Sequence, residues 1–229
     1  MRIVLAEKER MFREMLRRAC IERARHEVVG EASDGEETVR IVSEQQPNLL
    51  LVDVDLPRLD GFGVAEVVRR VSRSTSIVAL TASCASYTLF RIEHCQFEGY
   101  IDKGSNGIEA LHHLLAEAEN GRRYFAPVFH DVKAERVRDP RAFDKVLSDR
   151  EQQVLGLIGR SLSDDEIGAQ LGIAARTVET FRHRILQKLG VAGTPKLIHF
   201  ALENGFTPIS AVQTRPPAHS APGVRVRRL

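Results

Sequence analysis

The chain has 229 residues, 43% hydrophobic and 28% charged, which supplies a packed core and excludes a globally disordered chain. Its 33 Lys and Arg against 31 Asp and Glu leave a net charge of +2, which excludes a uniformly basic nucleic-acid coat and leaves only local patches. Three cysteines (Cys20, Cys84, Cys95) follow no metal or redox spacing and read as reduced thiols, and no apolar run is long enough to span a membrane. A cytoplasmic location is expected.

Ile3-Val4-Leu5 predicts a first strand, and a helix pattern follows from about Arg10 to Ala24. Glu27 to Gly30 predicts a second strand, with a helix over 36–45. Leu49-Leu50-Leu51-Val52 and Ile77-Val78-Ala79-Leu80 are continuously apolar, the pattern of parallel strands buried on both faces. Gly99-Tyr100-Ile101 is a shorter version, and a last helix is expected from about Asn106 to Asn120. Five strands, each followed by a helix, imply a parallel α/β sheet with helices on both faces over residues 1–124. Residues 125–146 are Pro-interrupted and charged and read as a linker. Residues 147–206 read as helical, with turns at Ser163, Gly172 and Gly190, and residues 207–229 as a flexible basic tail. Net charge is −3 over 1–124, +1 over 125–146, zero over 147–203 and +4 over 204–229.

Ligands of parallel sheets bind at the carboxyl ends of the strands. Those ends carry Glu7 and Lys8, Asp53, Thr81, and Asp102 with Lys103. A carboxylate nucleophile, a hydroxyl and an ammonium so placed suit phosphoryl chemistry: the carboxylate attacks phosphorus, the ammonium neutralises the new charge and the hydroxyl binds an oxygen. Asp55 and Asp60 read as caps or surface charge.

The motifs GEASDGEE, LLLVDVDLPRLDGF, ALTAS and GYIDKGS, in this order, resemble the receiver domain of a bacterial two-component response regulator over residues 1 to about 123. The resemblance implies a flavodoxin-like (βα)5 fold, Asp53 as phosphoacceptor, Thr81 as switch hydroxyl, Lys103 as phosphate-binding lysine, Tyr100 as the aromatic that rotates with activation, and Gly61 serving the loop after the site. It also implies a histidine kinase partner and a Mg2+ ion. The family usually has two adjacent acids after the first strand to hold that ion; here the pair is Glu7-Lys8, which leaves Glu7 and Asp53 as the metal-ligand candidates. Two unit charges about 4 Å apart interact by about 4 kcal/mol at an effective dielectric near 20, so Lys8 is expected to weaken a divalent site and to pair with Asp53 instead. Cys95-Gln96-Phe97 stand where the family commonly has small residues, so the surface over 87–98 is expected to be reshaped. Asp53-Val54-Asp55 also matches the start of a haloacid-dehalogenase-like phosphatase, but Pro57 and the lack of a later acidic pair after a strand argue against an enzyme of that kind.

Ser148 with Glu151, and Ser163 with Glu166, are capping boxes opening two helices. A third helix from Ala175 to Leu189 has Val178, Phe181, Ile185 and Leu189 on one face, with a polar outer face, which makes a helix-turn-helix. LSDREQQVL and LSDDEIGAQLGIAARTVETFRHRILQKLGV are similar to the LuxR-type (GerE, FixJ) helix-turn-helix. That resemblance implies a four-helix, DNA-binding domain whose last helix, near Lys196–Asn204, often serves a homodimer. By analogy Arg176, Thr177, Arg182 and Lys188 meet phosphates, and Glu179, Thr180 and His183 meet base edges. Arg184 adds charge, so the 175–189 helix is +3 although its domain is neutral. Asp164-Asp165, Glu179 and Phe181 depart from residues frequent in the family. The expectation is a DNA-binding transcription regulator controlled by its receiver; the alternative is a phosphorylation-independent adaptor or antagonist of a two-component pathway.

Overall fold

The apolar runs form strands where their patterning requires: β1 Arg2–Ala6, β2 Glu27–Ala32, β3 Leu49–Asp53, β4 Ser76–Thr81 and β5 Gly99–Asp102. The structure is a computed structural model describing residues 1–23, 26–104 and 107–207. All strand pairs are parallel, with Leu51 of β3 lying between Leu5 and Val78 of its neighbours. Strand order is β2-β1-β3-β4-β5, continued by a sixth strand, β6 Tyr124–Phe125. The chain order reverses at β1, so the crevice at the switch point opens at the carboxyl ends of β1 and β3.

Helices α1 Arg10–Arg18 and α5 Gly107–Glu119 cover one face of the sheet. There Leu16, Leu111, Leu114 and Leu115 pack on Ile3, Leu5, Leu51 and Leu80. Helices α2 Gly35–Gln45, α3 Gly61–Val71 and α4 Ser86–His94 cover the other, over Val4, Leu50, Val52 and Ala79. Both faces of β3 are therefore buried, which explains its unbroken apolar run.

Three features depart from the sequence reading. Helix α1 stops at Arg18, and Ala19–Arg23 winds as a π turn that contains the fully buried Cys20. The sheet has six strands rather than five, because β6 pairs Tyr124 with Gly99 and Phe125 with Tyr100; two residues are too short to show a period. The stretch read as a linker is largely helical. Helix α6, Pro127–Arg138, starts with proline at a position whose N–H needs no partner, and α7 spans Phe143–Val146. Phe129 of α6 is buried in the same core as Tyr100, but the charged Arg136 is buried as well and Val137 is exposed, so no apolar stripe marked the helix.

Beyond α7 come α8 Asp149–Gly159, α9 Asp164–Leu171, α10 Ala175–Leu189 and α11 Gly193–Glu203. Both expected capping boxes are formed. Gly172 and Gly190 end α9 and α10 at φ of 65° and 66°, a left-handed conformation that favours glycine. Val154, Leu155, Ile158, Ile167, Val178, Ile185, Leu197 and Ala201 form the core of this bundle, to which Tyr87 and Phe90 of α4 add their rings. The tail expected at 207–229 lies outside the described residues except for Thr207.

Candidate functional site

The strand ends deliver Glu7, Asp53 and Lys103 to one pocket. Glu7 is fully buried and Asp53 is 2% exposed. Lys103 Nζ lies 2.5 Å from Glu7 Oε2 and 2.9 Å from Asp53 Oδ2. Neither oxygen finds an aligned hydrogen-bond donor, so the shared ammonium compensates both carboxylates as an ion pair. The other oxygens are fixed by backbone: Glu9 N–H donates to Glu7 Oε1 at 2.9 Å and Asp55 N–H to Asp53 Oδ1 at 3.0 Å. Burial above all, and then the Asp53 charge, raise the Glu7 carboxyl, against the pull of Lys103. Phe12 of α1 lies under the Lys103 ammonium at 5.1 Å, a cation–π contact that closes the pocket from the side.

The remaining strand-end residues are near but differently occupied. Lys8 turns away from Asp53 and pairs with Asp55, correcting the expected Lys8–Asp53 pair. Burial would lower the Lys8 ammonium, but Asp55, with Asp53 and Glu7 behind it, outweighs that and raises it. Asp55 is therefore a partner in the site rather than surface charge, whereas Asp60 caps α3 as expected, accepting from Gly63 N–H at 2.7 Å. Thr81 is 4% exposed and its hydroxyl accepts from Ser83 N–H at 3.0 Å. Tyr100 is fully buried, with its hydroxyl 3.6 Å from Cys84 Sγ; burial first, then Cys84, raises the phenol. At Gly61 a Cβ would stand 2.5 Å from the Asp53 carbonyl oxygen, so only glycine lets the loop pass this close.

A magnesium ion does not fit this donor set. Its one or two carboxylate ligands would have to be Glu7 and Asp53. Glu7 and Asp53 already share Lys103, and the third nearby acid, Asp55, is held by Lys8.

The second site is the outer face of α10. Val178 and Ile185 are fully buried, which turns Arg176, Thr177, Glu179, Thr180, His183 and Arg184 outward, all exposed. Arg182 and Lys188 behave differently. Arg182 is largely buried and pairs with Asp164 at the start of α9; Lys188 pairs with Glu151 at 2.7 Å. Glu151 is 3% exposed, and although burial opposes it, Lys188 and Ser148 hold its carboxyl below the usual range.

The two halves touch through α4, a contact the sequence reading did not identify. Tyr87 stacks on Phe206 with ring centroids 3.8 Å apart and 13° between planes, and its N–H donates to Asn204 O at 2.9 Å. Phe90 meets Phe143 edge to face at 5.3 Å. Arg136 of α6 lies over Phe90 and pairs with Glu93 of α4 at 2.9 Å and Asp144 of α7 at 3.2 Å.

Residues 3–116 match the response regulator receiver domain family, and residues 145–201 match the luxR family of bacterial regulatory proteins. The response regulator UvrY of Escherichia coli (strain K12) is 28% identical over 213 residues, covering 89% of this chain and 94% of UvrY. The response regulator GacA of Pseudomonas aeruginosa is 27% identical over 183 residues, covering 79% of this chain and 85% of GacA. In fold, the chain is similar to RcsB of Salmonella enterica serovar Typhimurium bound to promoter rprA, with a TM-score of 0.66 at 22% identity, covering 87% of this chain and 97% of RcsB. It is also similar to the response regulator ChrA of a heme-sensing two-component system, with a TM-score of 0.51 at 26% identity, covering 90% and 98%. With its two halves matched in this order, the chain belongs to the two-component response regulators, a receiver domain carrying a LuxR-type helix-turn-helix DNA-binding domain.

Proposed function

We propose that this regulator binds promoter DNA as a homodimer through the outer face of α10, and that its receiver, residues 1–124, acts on the 147–206 domain through the packed 125–146 segment. The observation that carries the reading is the division of α10 into a buried apolar face and an exposed face with Arg176, Arg184, Glu179, Thr180 and His183. Arg176, Thr177 and Arg184 are assigned to phosphates, which position the helix; Glu179, Thr180 and His183 are assigned to base edges. Arg182 and Lys188 serve the domain's own geometry first, through Asp164 and Glu151. A footprint on genomic DNA tests this: sequence-specific protection should be lost on Arg184→Ala with Arg176→Ala. Protection unchanged by the double variant would defeat the assignment, and a parent chain that protects no DNA would favour an adaptor that works without it.

In the receiver, Asp53 is the phosphoacceptor candidate, served by Thr81 and Lys103 and watched by Tyr100, with a histidine kinase as donor. Attack of an Asp53 oxygen on phosphorus forms the acyl phosphate as the donor's bond to phosphorus breaks, and Lys103 neutralises the incoming oxygens. Lys103 must then give up part of its hold on Glu7, whose raised carboxyl can accept a proton. Because Lys8 and Lys103 already compensate the acids, metal-dependent transfer from small donors is slow. Intact mass after incubation with magnesium and acetyl phosphate should show little adduct. Ready conversion that Asp53→Ala abolishes would overturn the metal-poor reading. The protein is read as cytoplasmic and as a regulator rather than an enzyme; no helix among the described residues is long and apolar enough to cross a membrane.

A further inference from the structure

Between the ends of α3 and α4 and the β6–α6 edge lies a cleft of about 730 Å³, on a part of the receiver that neither site above uses. That volume falls in the range of about 300–1,000 Å³ typical of small-molecule sites. Its apolar wall is formed by Phe125 and Phe129, whose ring centroids are 4.5 Å apart. Four cations and two carboxylates line it. Arg69 pairs with Glu98 at 2.5 Å and donates to the carbonyls of Thr75 at 3.1 Å and Gln96 at 2.5 Å. Lys133 pairs with Glu93 at 2.6 Å. Taking away these two pairs leaves Arg73 and Arg123, both exposed and neither holding an ion pair among the described residues.

The cleft is built from this chain's own departures. Gln96, in the Cys95-Gln96-Phe97 triplet, has a φ of 58°, a left-handed conformation unusual outside glycine, and its carbonyl fixes Arg69. The triplet turns Gln96 and Phe97 into the lining.

We propose that this cleft binds a small planar organic anion, an aromatic carboxylate or phosphate, with its acid on Arg73 and Arg123 and its ring on the half-buried Phe125, which the buried Phe129 backs from the core. Guanidinium groups offer forked donors that match carboxylate and phosphate oxygens, and an aromatic wall selects a flat partner over a bare ion. Lys133 gives the site a consequence. It shares Glu93 with Arg136, which reaches on to Asp144, so an anion that draws Lys133 from Glu93 acts on the segment between the two domains. The proposal does not depend on the phosphoacceptor assignment.

Titrating the full chain with 1-naphthyl phosphate, followed by ligand fluorescence, tests it. Saturable binding at one site is expected. Inorganic phosphate and 1-naphthol, each carrying half of the recognition, should bind at least about tenfold more weakly. The double variant Arg73→Ala, Arg123→Ala should weaken the naphthyl phosphate by at least about tenfold with an unchanged melting temperature, since both side chains are exposed. No saturable binding, or binding that survives the double variant, overturns the proposal. Equal binding of inorganic phosphate would remove the aromatic half and overturns it too.

Discussion

The strand-end pocket and the face of α10 hold their charges in opposite ways. In the pocket two buried carboxylates depend on one ammonium, and Lys8 is tied to Asp55 beside them. On α10, Arg176 and Arg184 stand in solvent without an ion pair among the described residues, while Arg182 and Lys188, on the same helix, are engaged by Asp164 and Glu151. A charge held by a partner inside its own domain shapes that domain; a charge left in water is available to a ligand. Residue type alone does not separate the two, because all four α10 cations look alike in the sequence.

The largest test of that contrast is Lys103→Met. It strands Glu7 and Asp53 without their shared cation, and breaking a buried pair from one side costs roughly 3–5 kcal/mol. Urea unfolding at neutral pH should register that loss. The sign with pH follows from Glu7. Its carboxyl is raised by burial first and by Asp53 next, so the folded state holds more protons than the unfolded state between the ordinary carboxylate range and the raised value. Stability therefore falls as pH climbs through that window. Removing Lys103 leaves only the Glu9 N–H to lower Glu7, so the decline should extend to higher pH. A variant as stable as the parent at every pH would show that the pocket is wetter than its burial implies.

On α10 the expected effects are smaller. Arg184→Ala should weaken binding to all DNA sequences alike and reduce the slope of log affinity against log salt by about 1, the mark of one phosphate contact. Arg182→Ala should instead lower domain stability and leave that slope nearly unchanged, because its guanidinium is held by Asp164. Equal salt slopes for the two variants would erase the distinction between tied and free cations.

How far the sequence carried the fold depended on length and pattern. Strands with four or more continuous apolar residues, and helices opened by Ser148–Glu151 or Ser163–Glu166 boxes, were legible from local chemistry. The two-residue β6 and the charged α6 were not, because tertiary contacts with Gly99, Tyr100 and the receiver core hold them. In the pocket, strand-end positions identified Glu7, Asp53 and Lys103, but the partner of Lys8 was misread. Asp53 and Asp55 lie two residues apart in sequence, and only the loop beyond β3 decides which one an ammonium from β1 can reach. The α4 contact escaped for a similar reason: stacking between Tyr87 and Phe206 spans 119 positions, and no periodicity reports a pair that distant.

That contact gives the smallest and most discriminating prediction, since it asks whether the two regions compared above are joined. A double-mutant cycle of Tyr87→Ala and Phe206→Ala, read by thermal unfolding of the full chain, should show a coupling of about 0.5–1.5 kcal/mol beyond the separate losses of buried area. The neighbouring ion pairs add a pH signature. Burial raises the Glu93 carboxyl, but Lys133 and Arg136 outweigh it and hold the group below the usual range. Glu93 therefore contributes stability that is full above its unfolded value and is lost as pH falls through the folded value. Limited proteolysis of the 138–147 stretch should accelerate in acid for the same reason, and Glu93→Gln should show the accelerated rate already at neutral pH. Zero coupling in the cycle, with cleavage indifferent to Glu93, would mean that α4 and the helical bundle rest side by side without energetic communication, and that any signal from the strand-end pocket reaches α10 by another route.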